Sequence, residues 1–263
     1  MSSVVDLHLL QRTFFLITLH ESIRIDRLPL KPLLFESFFA EKFSREHIQG
    51  CLYENFPLEN ISQFPELWKQ QPDLKGINVT IPYKQEVIPF LDELSAAVKE
   101  IGAVNCVRLG EDGKLKGFNT DVIGFRRSLE PLLQPHHNKA LVLGTGGAAK
   151  AVKFVLKELG IGFKEVSRNA TDTAIAYESL TPAMMEEYTL IINTTPLGMY
   201  PKVDTAPPIP YEYITDRHLL YDLVYNPAVP LFLEKGAAKG AVIKNGHEML
   251  ILQAEASWEI WNS

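Results

Sequence analysis

Two charged residues could together move a proton. Lys84 closes the run Asn78-Val79-Thr80-Ile81-Pro82-Tyr83-Lys84, just past an apolar strand and behind a proline that fixes the turn. Asp121 closes the run Gly117-Phe118-Asn119-Thr120-Asp121. A free lysine has a pKa of ~10.4, so at neutral pH its ammonium is a proton donor and a poor base. A hydride reaching a carbonyl carbon makes an alkoxide, which a nearby ammonium can protonate; in reverse the lysine must be neutral. A carboxylate such as Asp121 would orient the lysine. A lone Lys and a lone Asp are most often surface residues, so this chemistry depends on a hydride source and further groups elsewhere in the chain.

Gly144-x-Gly146-Gly147 offers a place for that source. It follows the apolar run 140–143 and precedes an apolar-periodic helix over 148–159, the context a dinucleotide site requires. Glycines let the backbone approach a pyrophosphate, and the helix N-terminus adds free N–H groups and partial positive charge. Ala149 stands where a third glycine is usual, and a tight βα turn without a ligand is the plain alternative. An acidic residue about 20 positions on would hold a ribose 2′-OH and favour NAD. Glu165 lies near that distance but inside an expected strand, while Ser167-Arg168-Asn169 stands at its end. An arginine there can grip a 2′-phosphate through its planar fork of donors, so the spacing favours NADP; the alternative for Arg168 is a solvated surface arginine. Asn193-Thr194-Thr195-Pro196-Leu197-Gly198-Met199 follows another expected strand and reads as a cofactor wall, because ligands sit at the carboxyl ends of strands in doubly wound sheets.

The elements that must carry these residues alternate. Strands are expected over 52–56, 76–79, 103–109, 140–143, 163–166, 189–192, 219–223 and 241–243. Helical patterns fall at 38–43, 61–71, 85–91, 95–101, 122–129, 148–159 and 248–261. Glu111-Asp112-Gly113 reads as a hairpin turn, and the polar stretch 131–139 as a break between two α/β lobes. The 263 residues, 46% hydrophobic, suffice for one large domain or two modest ones. A charge of −6, with no Lys/Arg run, argues against a nucleic-acid partner. Cys51 and Cys106 lack metal-ligand spacing, so no metal is expected and a reduced, cytoplasmic protein is the simplest reading. No apolar run reaches membrane-spanning length, and the charged, uncleavable look of residues 1–19 argues against a signal peptide.

Taken in order, seven motifs resemble the shikimate dehydrogenase family. They are Asn78-Val79-Thr80-x-Pro82-x-Lys84, Gly102-Ala103-Val104-Asn105, Gly117-x-Asn119-Thr120-Asp121-x-x-Gly124, Gly144-x-Gly146-Gly147-Ala148, Asn193-Thr194-Thr195-Pro196-x-Gly198, Asp222-x-x-Tyr225-x-Pro227 and Gly246-x-x-Met249-Leu250-x-x-Gln253-Ala254, covering roughly residues 39–261. The resemblance implies an oxidoreductase of aromatic amino-acid (chorismate) biosynthesis that interconverts 3-dehydroshikimate and shikimate with NADP. It implies Lys84 and Asp121 as the catalytic pair, with Thr80, Asn105, Tyr225 and Gln253 on the substrate. Cofactor contacts are expected from Gly144, Gly146, Gly147, Ala148, Ser167, Arg168, Thr194, Met199, Val224, Gly246 and Met249. The implied fold is α/β, with an N-terminal substrate-binding lobe (1–120, completed by 246–263), a Rossmann-like NADP-binding lobe (121–245) and the active site in the cleft between, as a monomer or homodimer. An NAD-linked quinate/shikimate dehydrogenase and a catalytically impaired nucleotide-binding protein are the alternatives.

One family motif is missing. The family opens with a strand and a His-Ser-x-Ser segment whose serines hold the substrate carboxylate, whereas residues 23–38 here read IRIDRLPLKPLLFESF. Suitable synonymous codons for that stretch, read one nucleotide later, give FGLIGYPLSHSCSKAF, which restores both strand and serines. The residues before about Phe39 therefore read as out-of-frame translation. This aberrant segment is expected to leave the first lobe with an open sheet edge and the enzyme weak or inactive, with the nucleotide lobe better preserved.

Overall fold

The computed structural model describes residues 14–21 and 34–263, with side chains from Phe35 onward. Residues 1–13 and 22–33, and with them most of the stretch expected to be out of frame, lie outside the described residues. The chain divides into two compact units. The first holds the described residues up to Ser95, then Val104–Phe118 and Ser257–Ser263; the second holds Ala96–Ala103 and Asn119–Ala256.

The first unit is built on a mixed sheet. Its strands are β1 (Phe14–Glu21), β2 (Cys51–Leu58), β3 (Leu74–Val79), β4 (Glu93–Leu94), β5 (Cys106–Leu109) and β6 (Leu115–Phe118), in the order β2-β1-β3-β5-β6-β4. β1 runs parallel to both β2 and β3, so the expected open edge is filled. The run FFLITLHE explains this: aromatic and β-branched residues suit a strand, although the residues before about Phe39 read in sequence as out-of-frame translation. Around β5 the sheet turns antiparallel, through the expected hairpin to β6.

Helix α1 (Leu34–Arg45) brings Phe39, fully buried, onto the Tyr53 ring at 4.4 Å in a stacked pair. Helix α2 (Phe64–Gln70) starts with a proline in its first turn, where a missing N–H costs nothing. β3 needs glycine at Gly76, because a Cβ there would meet the Trp261 indole at 2.0 Å. That indole is pinned by its own Nε1–H, which donates to Val107 O at 3.0 Å. The expected helix over 85–91 is not an α-helix: the segment is a series of turns with one 3-10 turn at Ile88–Phe90. Pro82 precedes the segment and Pro89 lies within it; Pro89 can donate no helical bond, so an i to i−4 bond from Val87 N to Tyr83 O at 3.0 Å gives way to i to i−3 closures, as from Phe90 N to Val87 O.

The second unit is a doubly wound sheet. Its strands are β7 (Lys139–Leu143), β8 (Gly162–Ser167), β9 (Ala174–Ala176), β10 (Leu190–Asn193), β11 (Leu219–Asp222) and β12 (Val242–Lys244). Every neighbouring pair is parallel, in the order β12-β11-β10-β7-β8-β9. Counted from β7, this is the 3-2-1-4-5-6 arrangement of dinucleotide-binding sheets, with its switch point between β7 and β10. The helices are α3 (Ala96–Ile101), α4 (Thr120–Leu129), α5 (Gly147–Glu158), α6 (Pro182–Glu187), α7 (Leu231–Ala237) and α8 (His247–Trp261), the last leaving the unit after Ala256. Near-continuous apolar strands are what a sheet covered on both faces demands, and Ala140, Leu141, Val142 and Leu143 are all fully buried. Alternate residues feed two cores: Ala140 and Val142 pack with α4 and α5, Leu141 and Leu143 with Met185 and Phe232.

Candidate functional site

In the first unit the site grows from the end of β3. Val79 N donates to Asn105 O at 2.9 Å and Val104 N donates to Lys84 O at 2.7 Å. These two backbone bonds bring Thr80, Lys84 and Asn105 to one place, although they are far apart in sequence. The intervening turn is anchored by Tyr83, whose buried hydroxyl donates to Leu58 O at 2.8 Å, and its peptide bond between Ile81 and Pro82 is cis. Lys84 and Thr80 are half-buried and Asn105 is buried.

Asn78 holds this arrangement from behind, a role the sequence reading did not assign. Its Nδ2 donates to Asn105 O at 3.1 Å and to Ser257 Oγ at 2.8 Å, while its Oδ1 accepts from the Tyr53 hydroxyl at 3.1 Å. A fully engaged buried amide specifies one arrangement of its partners.

In the second unit Asp121 lies in the first turn of α4, where the free N–H groups suit an anionic side chain. One turn on, Gly124 allows α8 to approach: a Cβ there would stand 2.5 Å from Met249 O and 2.7 Å from Gln253 Cγ. This contact sets Gln253 on α8 against the helix that carries Asp121. Gly246 is required for a similar reason, since a Cβ would fall 2.1 Å from Leu223 O, and its N–H donates to Val224 O at 3.1 Å. Tyr225, in the turn after β11, is 42% exposed and so open to a ligand.

At the carboxyl ends of β7, β8 and β10 lies a cavity of about 1140 Å³. The sequence-predicted Gly144, Gly146, Ser167, Arg168 and Thr194 all line it. Gly144 has φ +109°, and a Cβ would stand 2.7 Å from Thr194 Oγ1, so glycine is needed there for backbone and for space. In front of Gly146 and Gly147 nothing lies within 4 Å of a Cβ, which leaves room for a ligand at the N-terminus of α5. No side chain caps that helix start. These features fit a bound pyrophosphate. Gly147, Ala148, Met199, Val224, Gly246 and Met249 do not line the cavity; Met199 is exposed, and Val224, Gly246 and Met249 are buried.

Glu165, the acid at the NAD-type distance, is only 6% exposed and pairs with Lys153 of α5 at 2.6 Å. It stands off the cavity, whereas Arg168 lies on it. Tyr177, Tyr211, Lys235 and the prolines Pro207 and Pro208 also line the cavity and were missed. The proline cluster was visible in the sequence as a plain loop; no spacing signal marks Tyr177 or Lys235.

The family model for the shikimate dehydrogenase substrate binding domain matches residues 31–107. NADP-dependent shikimate dehydrogenase of Clostridium beijerinckii is 43% identical over 248 residues, covering 86% of this chain and 91% of that protein. The enzyme of the same name from Desulforamulus reducens is 38% identical over 209 residues, covering 72% of each chain.

The chain belongs to the shikimate dehydrogenase family.

Among solved structures, shikimate 5-dehydrogenase from Thermus thermophilus in complex with NADP(H) and shikimate superposes with a TM-score of 0.78 at 28% identity, covering 95% of this chain and 93% of that one. The matched family segment starts at residue 31 and contains Thr80, Lys84 and Asn105. Among the described residues no helix is long and apolar enough to cross a membrane, and no His/Cys/Asp/Glu group could hold a metal ion.

Proposed function

We propose that this chain reversibly reduces 3-dehydroshikimate to shikimate with NADPH, a step of aromatic amino-acid biosynthesis. The observation that carries the reading is the backbone-bonded placement of Thr80, Lys84 and Asn105 at the end of β3, in a family whose members perform this reaction. Lys84 and Asp121 form the catalytic pair: the Lys84 ammonium protonates the oxygen of the carbonyl being reduced, and in reverse the neutral amine takes the hydroxyl proton. Thr80, Asn105 and Gln253 bind substrate hydroxyls, and Tyr225 lines the substrate pocket. NADP, when bound, supplies or accepts the hydride. Gly144, Gly146 and Gly147 hold its pyrophosphate at the start of α5, and Ser167 and Arg168 hold its 2′-phosphate. In this reading residues 1–120 with 246–263 serve the substrate and residues 121–245 the nucleotide. The enzyme works in the cytoplasm, without nucleic acid, as a monomer or homodimer.

The test is NADPH consumption with 3-dehydroshikimate. Lys84→Met lowers kcat by ~10²–10⁴-fold with little change in NADPH affinity. Adding Asp121→Asn costs much less than it does alone, because groups acting as a unit are not additive. An unaltered kcat in Lys84→Met sinks the assignment.

The same assay, run beside a frame-restored chain, tests the missing serine pair. Two lost donors to a carboxylate, at ~1.5–3 kcal/mol each, correspond to roughly a hundred- to ten-thousand-fold in affinity or rate. The restored chain is expected to be the better enzyme by about that factor. Equal activity of the two overturns the expected loss, and resequencing the DNA for residues 23–38 tests the out-of-frame reading itself: it fails if no single-nucleotide shift restores the motif. An NAD-linked quinate/shikimate dehydrogenase is the second reading, which Arg168 on the cavity and the Lys153-paired Glu165 disfavour.

A further inference from the structure

Behind the cavity lies a buried acid that the reaction does not use. Asp222 ends β11 and Asn193 ends β10, and the two stand opposite each other in the parallel register. Both are fully buried. Asn193 Nδ2 donates to Asp222 Oδ1 at 3.0 Å, and Val224 N donates to the same oxygen at 3.0 Å.

The other side of Asn193 faces the cavity wall. Its Oδ1 accepts from Thr195 N at 3.0 Å and from the Thr195 hydroxyl at 2.6 Å, and its Nδ2 approaches Leu197 O at 3.4 Å. Thr195, Pro196 and Leu197 line the cavity. The carboxamide of Asn193 thus has one workable orientation. Turned over, it would present an NH₂ to the Thr195 N–H and an oxygen to the carboxylate, and both bonds would be lost. Asp222 reinforces that orientation from behind, together with Thr195 N and Leu197 O on the wall side.

The acid is kept at a cost. Its Oδ2 is buried and has no hydrogen-bond partner among the described residues. A buried, unpaired carboxylate oxygen is destabilising, and a purely structural position would be served better by a neutral side chain. Burial raises the Asp222 carboxyl to about 7, against the pull of its bonds to Val224 N and Asn193. Tyr211, which lines the cavity, has its phenol pushed up by burial and then by Asp222, so the carboxylate lies within electrostatic reach of the wall.

We infer that Asp222 is a positioning residue for nucleotide binding, acting through Asn193 to hold the wall formed by Thr195, Pro196 and Leu197. It touches neither substrate nor cofactor. The inference rests on the reading that this cavity takes NADP(H), and deepens it.

The test is equilibrium binding of NADPH to the full chain, followed by nucleotide fluorescence, with steady-state kinetics alongside. Asp222→Ala weakens NADPH by about tenfold or more, the scale of a lost hydrogen bond to a charged group. Asn193→Ala weakens it similarly, and the double variant is no worse than either single one, because both remove one connection. Asp222→Asn keeps an acceptor oxygen for Asn193 Nδ2 and Val224 N and rescues most of the loss. kcat at saturating NADPH falls much less than affinity. Unchanged NADPH affinity in folded Asp222→Ala, additive single effects, or an Asp222→Asn as weak as Asp222→Ala each overturn the inference. If Asp222→Ala does not fold, Asn193→Ala must still bind about tenfold weaker while Asp222→Asn does not. Binding without turnover of 3-dehydroshikimate by the wild-type chain would count against the proposed substrate alone, since the binding comparison still decides the role of Asp222.

Discussion

Arg168 stands on the cavity beside Ser167 and Thr171, whereas Glu165, three residues earlier, is buried against Lys153. The alternation of a strand explains the difference: residues two apart share a face, and the third residue on, past the strand end, is free to turn toward the ligand crevice. In the proposed reading the cofactor preference rests chiefly on the Arg168 guanidinium, with Ser167 beside it. Arg168→Ala is expected to raise KM for NADPH by roughly ten- to hundredfold, the value of one or two charged hydrogen bonds, and to leave KM for NADH nearly unchanged. Equal losses with both cofactors would show that Arg168 supports the loop and does not read the phosphate. Arg168 was legible in the sequence because it follows a glycine loop at a known interval. Asp222 and Asn193 were not, although both stood in quoted motifs, because a buried hydrogen bond between neighbouring strands leaves no mark on spacing.

Close approaches at glycine join the elements of each unit. Gly124 lets α8 lie so near α4 that a Cβ would overlap the Met249 carbonyl, which is backbone and cannot swing aside. Gly124→Ala is therefore expected to cost roughly 1–3 kcal/mol of stability, the usual range for overpacking. It also displaces Gln253, whose Cγ would stand 2.7 Å from the new methyl, so KM for shikimate should rise while NADPH affinity changes much less. A melting temperature and a KM both equal to wild type would contradict this account of the contact. Gly124 was visible in the sequence as part of a motif, but its reason was not, since the partner helix lies more than a hundred residues away. The same division runs through the fold. The strands of the second unit were legible because buried parallel strands are short apolar runs set between helical patterns. β1 was not, because the residues before about Phe39 read as out-of-frame translation, in which no strand was expected. β6 (LKGF) is too short and too mixed to show alternation, and its place in the sheet follows from the hairpin with β5. The misread helix over 85–91 shows local periodicity yielding to two prolines.

Across the whole molecule, acid should act first on the second unit. The polar stretch 131–139, which in sequence is only a break, folds against the turn before β11 through three histidines. His137 is 5% exposed and His218 is 2% exposed. His137 Nδ1 accepts from Gln134 N at 3.0 Å and its Nε2 donates to Arg217 O at 3.1 Å. His218 Nδ1 accepts from Thr215 N at 3.1 Å and its Nε2 donates to Met185 O at 2.9 Å. In both rings Nδ1 is used as an acceptor, so the neutral form fits and a proton there would meet an N–H head on. Burial lowers both pKa values, and the facing charges of His136, His218 and Arg217 add to it. The sign follows from linkage. An unfolded histidine takes up its proton near ~6.5, while these two in the folded state do so only at lower pH. Their contribution to stability is thus complete above ~6.5 and is lost as pH falls below it, with about 2–4 °C in Tm for each kcal/mol removed in a domain of this size. Asp222, whose carboxyl burial raises to about 7, takes up its proton in the same window and works in the opposite direction, equally in wild type and in a histidine variant. Thermal melts at pH 7.5 and pH 5.5 should show the wild-type chain losing more Tm than the double variant His137→Gln with His218→Gln, which cannot take up the protons. Parallel losses in the two proteins would mean that the acid sensitivity resides elsewhere.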